Sequence, residues 1–287
     1  MEPALYIVAT PIGNLADISQ RARDVLGAAD LVAAEDTRHT GQLLATLDIR
    51  ARLLAYHEHS APAVGERLRD AVAAGQRVAL VSDAGTPTIS DPGYRLVRTV
   101  QEAGLPVVPV PGACALVTAL SASGLPSDRF SFGGFLPAKR EARRQRLALA
   151  ARAPETQLFY EAPHRVRDTL HDLVAICGPD REAAVARELT KRFETIRRAP
   201  LGELLAWVEA DSNQERGEIV LMLAPDTAAA PALEDAALLE LLVDLADVVP
   251  ARQAAKLLAR HCPRSARELY GALLEARGQG PADGRRR

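Results

Sequence analysis

The sequence predicts an α/β fold of two domains with a small helical C-terminal domain. Three observations carry this. Five apolar runs of strand length alternate with helix-like segments over about the first 125 residues. The alternation then resumes with a different texture, and an Ala/Pro-rich stretch at 226–234 separates it from three further helical segments. The expected divisions are 1–124, 125–225 and 233–277, with a disordered tail at 278–287. A length of 287 residues with 48% hydrophobic content suits a globular protein with a sizeable core. Aromatics at 4% argue against base-stacking platforms as the main mode of recognition. Cys114, Cys177 and Cys262 have no metal-like spacing, so a reducing cytoplasm and no metal centre are expected. No leader pattern and no apolar run of bilayer-spanning length is present, so no membrane partner is expected.

Residues 4–10, ALYIVAT, suit a central parallel strand covered on both faces. Pro11-Ile12-Gly13-Asn14 ends it. Asp17-Ile18-Ser19-Gln20 has capping-box-like spacing, and Ile18, Ala22, Val25 and Leu26 share one helical face. A second strand, 31–34, runs into Glu35-Asp36-Thr37-Arg38-His39-Thr40. Two readings stand side by side there: a ligand site beyond a strand's carboxyl end, or a charged helix start with Asp36 or Thr37 as N-cap. The third strand, 52–56, precedes His57-Glu58-His59-Ser60 and a helix at 61–74. An HxH pair without a third nearby ligand reads as pocket-facing or solvated histidine rather than a metal site.

The fourth strand, 78–81, opens into SDAGTPTISDPG at 82–93. Gly lets backbone approach a ligand closely, Pro stiffens the chain, and Asp, Ser and Thr can bond nearby amides. Asp91-Pro92 reads as N-cap and N1 of a helix ending near Gly104. Twelve residues exceed the needs of a tight turn, which points to a binding loop. The fifth strand, 107–110, ends in Pro111-Gly112-Ala113-Cys114-Ala115, after which small residues persist. They suit either a ligand against backbone or close helix packing. The absence of GxGxxG removes the usual dinucleotide fingerprint.

Beyond residue 125 the expected order is a strand at 130–136, a basic helix at 137–152, a strand at 157–160 and a helix at 163–176. Strands at 183–188 and 193–197, a helix at 201–208 and a strand at 217–224 follow. The basic helix sets six Lys and Arg, among them Lys139, Arg140, Arg143, Arg144 and Arg146, against Glu141 alone. Such a run is usually a solvated face, but one this lopsided is a candidate for phosphate contact. Tyr160-Glu161-Ala162-Pro163-His164-Arg165 and Arg187-Glu188-Leu189-Thr190-Lys191-Arg192 lie at strand ends and read either as chemistry or as surface ion pairing. The terminal helices are expected at 235–245, 251–260 and 265–275. The last two have helix-turn-helix spacing, and 251–287 carries nine Lys and Arg against three Asp and Glu, which suits nucleic acid.

Together the blocks at 5–15, 35–38, 82–93, 133–139, 160–165 and 187–191 resemble those of the ribosomal RNA small-subunit methyltransferase I family. These are cytidine 2′-O-methyltransferases of the tetrapyrrole methylase superfamily. The resemblance runs from about residue 4 to 277, in the family's order. It implies S-adenosyl-L-methionine in the cleft between two α/β domains, a homodimer, and a decoding-centre cytidine of 16S rRNA in the small ribosomal subunit as substrate. The cofactor contacts it implies are Ile12 in the first loop and Asp83, Ala84, Gly85 and Thr86 in the 82–93 loop. Cys114, Ala115, Tyr160, Leu189 and Glu218 complete them. The sequence departs from the pattern at the first loop, which is less glycine-rich, at Ser60, where Asn is usual, and at Ala113, where Pro is usual.

A ribose hydroxyl is a poor nucleophile until its proton leaves, so a carboxylate, imidazole or neutral amine within reach would help. Glu35, Asp36, His57, Glu188 and Lys191 are the candidates, with no spacing that singles out a pair. Arg38 and Arg165 are candidate phosphate anchors, beside Lys139, Arg140, Arg143 and Arg144. A tetrapyrrole methyltransferase would share the fold but not need the basic segments, and a DNA-binding regulator would need no 82–93 loop.

Overall fold

The computed structural model describes residues 1–226, 235–260, 262 and 264–277. Met1–Pro225 forms one compact unit and Asp226–Arg287 a second. The first unit opens with a five-stranded sheet of β1 (Ala4–Val8), β2 (Leu31–Ala34), β3 (Leu53–Ala55), β4 (Arg77–Val81) and β5 (Val107–Val110). All its pairings are parallel, in the order β3-β2-β4-β1-β5. Both faces are covered, which explains the nearly continuous apolar runs. Strand alternation sends Ala4, Tyr6 and Val8 toward α1 (Gln20–Ala28) and α2 (Thr37–Thr46), while Leu5, Val78 and Leu80 meet α3 (Pro62–Ala73) and α4 (Tyr94–Glu102).

A second sheet follows, built from β6 (Phe130–Phe135), β7 (Thr156–Glu161), β8 (Glu182–Arg187), β9 (Thr195–Pro200) and β10 (Ile219–Leu223). Its order is β6-β7-β10-β8-β9, with only β6 and β7 parallel. One face packs on α6 (Arg140–Ala150), α7 (Val166–Cys177) and α8 (Leu201–Ala210). The other face receives α5 (Ala115–Ser123), whose Leu116, Ala119 and Leu120 join Leu158, Ala186, Val220 and Met222 in one core. That helix leaves the first sheet and buries itself on the second, so it couples the two layers.

Element starts differ from the sequence expectation in instructive ways. Asp91-Pro92 does not open α4. Thr88 and Ser90 hold positive φ (75° and 63°) and Gly93 follows at 135°, so the backbone enters the helix only at Tyr94. Ser19, not Asp17, caps α1, its Oγ accepting from the Ala22 amide at 3.1 Å, and Leu15–Asp17 forms a short 3₁₀ turn. The basic helix starts at Arg140, and β9 runs later than expected.

The second unit contains α9 (Asp235–Val248), α10 (Ala251–Leu258) and α11 (Ala266–Ala276) around Leu238, Leu242, Leu258, Leu269 and Leu273. Ser265 and Glu268 form a reciprocal capping box at α11. All of the expected linker at 226–234 except Asp226, and the expected tail at 278–287, together with His261 and Pro263, lie outside the described residues. No helix of the described residues is long and apolar enough to cross a membrane.

Candidate active site

The carboxyl ends of β1, β2, β4 and β5 open onto the second sheet, and a cavity of about 440 Å³ lies there, where open α/β sheets bind ligands. The first loop and the 82–93 loop are stitched together at its floor. Thr10 donates its amide to the Gly85 carbonyl at 2.9 Å, the Gly85 amide donates back at 3.1 Å, and Thr10 Oγ1 donates to the Ser82 carbonyl at 3.3 Å. Thr86 Oγ1 donates to the Ala113 carbonyl at 3.0 Å, which ties in the loop after β5. The Asp36 amide donates to Asp83 Oδ1 at 3.1 Å and ties in the end of β2. Gly85 needs its glycine: φ is 85°, and an added Cβ would lie 3.4 Å from Ile12 Cγ2, in the ligand-facing crevice. Bare backbone is thus presented to the cavity.

From the second sheet come Tyr160 and Glu161 at the end of β7, Leu189 after β8, and Gly217 to Val220 entering β10. Lys191 fastens this side to the first loop. Its Nζ donates to Glu188 Oε1 at 2.9 Å and Glu218 Oε2 at 3.1 Å, the Glu218 amide donates to Glu188 Oε1 at 3.1 Å, and the lysine stem lies over Gly13. Glu188 sits at φ 50° and Thr190 at 64°, so the turn is held in a costly conformation by these bonds.

All ten residues expected to contact a cofactor line the cavity: Ile12, Asp83, Ala84, Gly85, Thr86, Cys114, Ala115, Tyr160, Leu189 and Glu218. Of the five candidate bases, Glu35 alone does so. Burial, with the Asp83 charge beside it, raises its carboxyl above the usual range. Its neighbour Asp36 takes the other reading of that segment. It caps α2 through the Arg38 and His39 amides and pairs with the Arg38 guanidinium at 2.9 Å, which holds its carboxyl far below the usual range. His57 lines a separate hollow with Tyr56, Glu58 and Tyr94, its amide held by Ser60 Oγ at 2.9 Å. Burial works against the charges of Glu188 and Lys191, but their mutual hydrogen bond prevails, lowering the acid and raising the amine. Among the described residues no group of three His, Cys, Asp or Glu side chains is placed to hold a metal.

The basic helix requires a correction. Arg143 is 3% exposed, and its guanidinium binds Asp172 of α7 at 2.9 Å, so it is not presented to a phosphate. Arg140 and Arg144 reach the same carboxylate at 3.3 and 3.1 Å while keeping partly exposed outer faces. Arg165 is also tied inward: its side chain is 16% exposed and pairs with buried Glu161 at 2.6 Å. Arg38 is exposed beside Asp36, and Lys139 is exposed at the start of α6.

Asp91 is the main site residue absent from the sequence expectation, which took it for a helix cap. It lines the cavity, and burial pushes its carboxyl up to about 6, with the charges of Glu35 and Asp83 adding to the effect and a Ser82 hydrogen bond opposing it. Only the tertiary fold brings these three acids together. Phe135, Glu161, Ala162 and Pro163 also line the cavity.

Residues 4–205 match the profile of the family described as tetrapyrrole (corrin/porphyrin) methylases. The chain is 53% identical over 274 residues to the ribosomal RNA small subunit methyltransferase I of Escherichia coli O157:H7, covering 96% of each chain. It is 50% identical over 278 residues to the enzyme of the same name from Vibrio cholerae serotype O1, again covering 96% of each. The crystal structure of uroporphyrin-III-C-methyltransferase from Thermus thermophilus superposes with a TM-score of 0.54 at 22% identity, over 77% of this chain and 94% of that one.

Proposed function

The chain belongs to the tetrapyrrole (corrin/porphyrin) methylase family and, within it, to the ribosomal RNA small subunit methyltransferase I group, and on that premise we propose its reaction. It transfers a methyl group from S-adenosyl-L-methionine to the ribose 2′-hydroxyl of a decoding-centre cytidine in 16S rRNA. The observation that carries this reading is the convergence of all ten implied cofactor residues on one cavity that Glu35, an acid of raised pKa, also lines.

The residues present fit such a donor. The volume lies in the range of ordinary small-molecule sites. Ile12, Leu189, Ile219 and Val220 supply apolar wall for a nucleoside, backbone is bare at Gly85, and Asp83 and Asp91 line the cavity with carboxylates suited to a cation. When bound, S-adenosyl-L-methionine supplies an electrophilic methyl on a sulfonium. The protein's part is alignment and one proton. The doubly bonded Thr10 and Gly85 backbone fixes the two loops on the first-sheet side of the cleft, and the Lys191 bonds to Glu188 and Glu218 fix the turns on the second-sheet side. Glu35 accepts the ribose hydroxyl proton, since its raised carboxyl is a better base near neutral pH than an ordinary one. Lys191, held protonated by two carboxylates, positions and does not accept. Arg38 and Lys139, with the outer faces of Arg140 and Arg144, take phosphates. The reading carries with it a cytoplasmic site of action and a homodimer.

Methyl-labelled S-adenosyl-L-methionine with unmodified small ribosomal subunits tests it. Label should enter rRNA and survive alkaline hydrolysis in a dinucleotide whose 5′ member is cytidine, because a 2′-O-methyl group blocks cleavage there. Label in a porphyrinogen and none in RNA would overturn it.

A further inference from the structure

Phe135 is the one ring in the cavity lining that is largely open to solvent, at 59% exposure. Its orientation is imposed by the backbone. Residues three apart on a regular strand point to opposite faces, yet Phe132 and Phe135 both meet Tyr160 edge-on, with ring centroids 4.8 and 5.5 Å away. The pairing of β6 with β7 shifts between them: three steps along β6 match two along β7, from Phe132 opposite Leu158 to Phe135 opposite Tyr160. The extra residue is a bulge, a device that re-aims a side chain. Its two glycines are required. Gly134 holds φ 66°, and a Cβ on Gly133 would overlap the Phe159 ring and come within 3.3 Å of Arg146 Nη2. Bulge, glycines and Tyr160 together hold Phe135 over the cavity mouth.

The ring's surroundings suggest what it meets. Deep apolar wall is already supplied by buried Ile12, Leu189, Ile219 and Val220. A ring more than half exposed suits a group that enters from outside and stays joined to a chain. Arg146 lies beside the bulge and Lys139 begins the next helix; both are exposed and neither has an ion pair among the described residues. An aromatic face flanked by free cations matches a nucleotide within single-stranded RNA.

We propose that Phe135 is the platform on which the target nucleobase stacks as its ribose enters the cavity, with Arg146 and Lys139 on the adjoining phosphates. The assignment rests on the rRNA methylation reading and names how that substrate is held. A base taken out of its stack needs such a surface to offset lost stacking.

The test uses the full chain, unmodified small ribosomal subunits, and three substitutions at Phe135. Phe135→Ala should lower kcat/KM for methyl transfer about 10- to 100-fold. Phe135→Leu, which keeps apolar bulk without a π-face, should recover little of that. Phe135→Tyr should stay within about threefold of the parent. Affinity for S-adenosyl-L-methionine, measured by calorimetry, should change by less than about twofold in all three, which also reports folding. Leucine equal to phenylalanine would overturn stacking, and parallel loss of cofactor affinity would make Phe135 a cofactor wall instead. If the parent protein transfers no methyl to RNA, the functional reading itself fails and the stacking role falls with it.

Discussion

Glu35 and Asp36 are adjacent acids with opposite fates, and the difference is one of surroundings. Asp36 turns back on its own helix start and an exposed arginine, while Glu35 faces a cavity that also holds Asp83 and Asp91. Glu35→Gln should lower single-turnover methyl transfer by about 10²- to 10⁴-fold with cofactor affinity nearly unchanged; a rate within threefold of the parent would remove Glu35 as the base. Asp91 shows what the cavity costs the fold. Its carboxyl titrates at about 6, above its ordinary 3.8, so its neutral form is the one the fold favours. The stability it contributes is full below the ordinary value and is lost as pH rises through about 6. Ionised Asp91, beside Glu35 and Asp83, in turn attracts a cation. S-adenosyl-L-methionine should therefore bind more tightly at pH 7.5 than at pH 5, whereas its uncharged demethylated thioether should show a much smaller change. In Asp91→Asn the difference between the two ligands should shrink and the melting temperature at pH 8 should rise. Calorimetry at the two pH values checks this, and equal pH dependence for both ligands would count against it.

At the scale of elements, the basic helix shows how composition misleads. Its charge was legible in the sequence, but the use of that charge was not, because Asp172 lies some thirty positions downstream on α7. That carboxylate is 1% exposed and takes bonds from Arg140, Arg143 and Arg144. Burial works to raise its pKa, yet the three guanidinium bonds hold it below the usual range. Asp172→Ala would strand buried Arg143 without a counter-charge, and breaking such a pair costs about 3–5 kcal/mol. Chemical denaturation should show that loss near neutral pH, and the parent's advantage should shrink as pH falls below the ordinary 3.8 through the lowered titration of Asp172. The 82–93 loop was more legible. Its Gly, Pro and Asp content marked a rigid binding loop, and all of Asp83, Ala84, Gly85 and Thr86 line the cavity. Its exit is not legible in the sequence, since a local Asp-Pro signal carries no information about the positive φ values at Thr88, Ser90 and Gly93 that delay the helix.

For the whole molecule, the division at residue 225 separates a unit that contains the entire cavity from a helical unit with its own core. Truncation after Pro225 should leave affinity for S-adenosyl-L-methionine within about twofold while weakening rRNA binding, and the salt dependence of RNA binding should flatten as basic residues are lost. Equal loss of both affinities would make the terminal helices structural. The sequence by itself determined the α/β class, the parallel strands of the first sheet and the strand ends where chemistry would lie, because periodicity and turn composition are local properties. Its resemblance to a family implied ten of the residues that line the cavity. Only the tertiary structure decided which of two neighbouring acids faces the cavity and which arginines are already bound to a buried carboxylate. It also decided that Asp91 belongs to the site and that a glycine bulge swings Phe135 over the mouth. Those outcomes depend on burial and on partners tens of residues away, and neither is encoded in spacing along the chain.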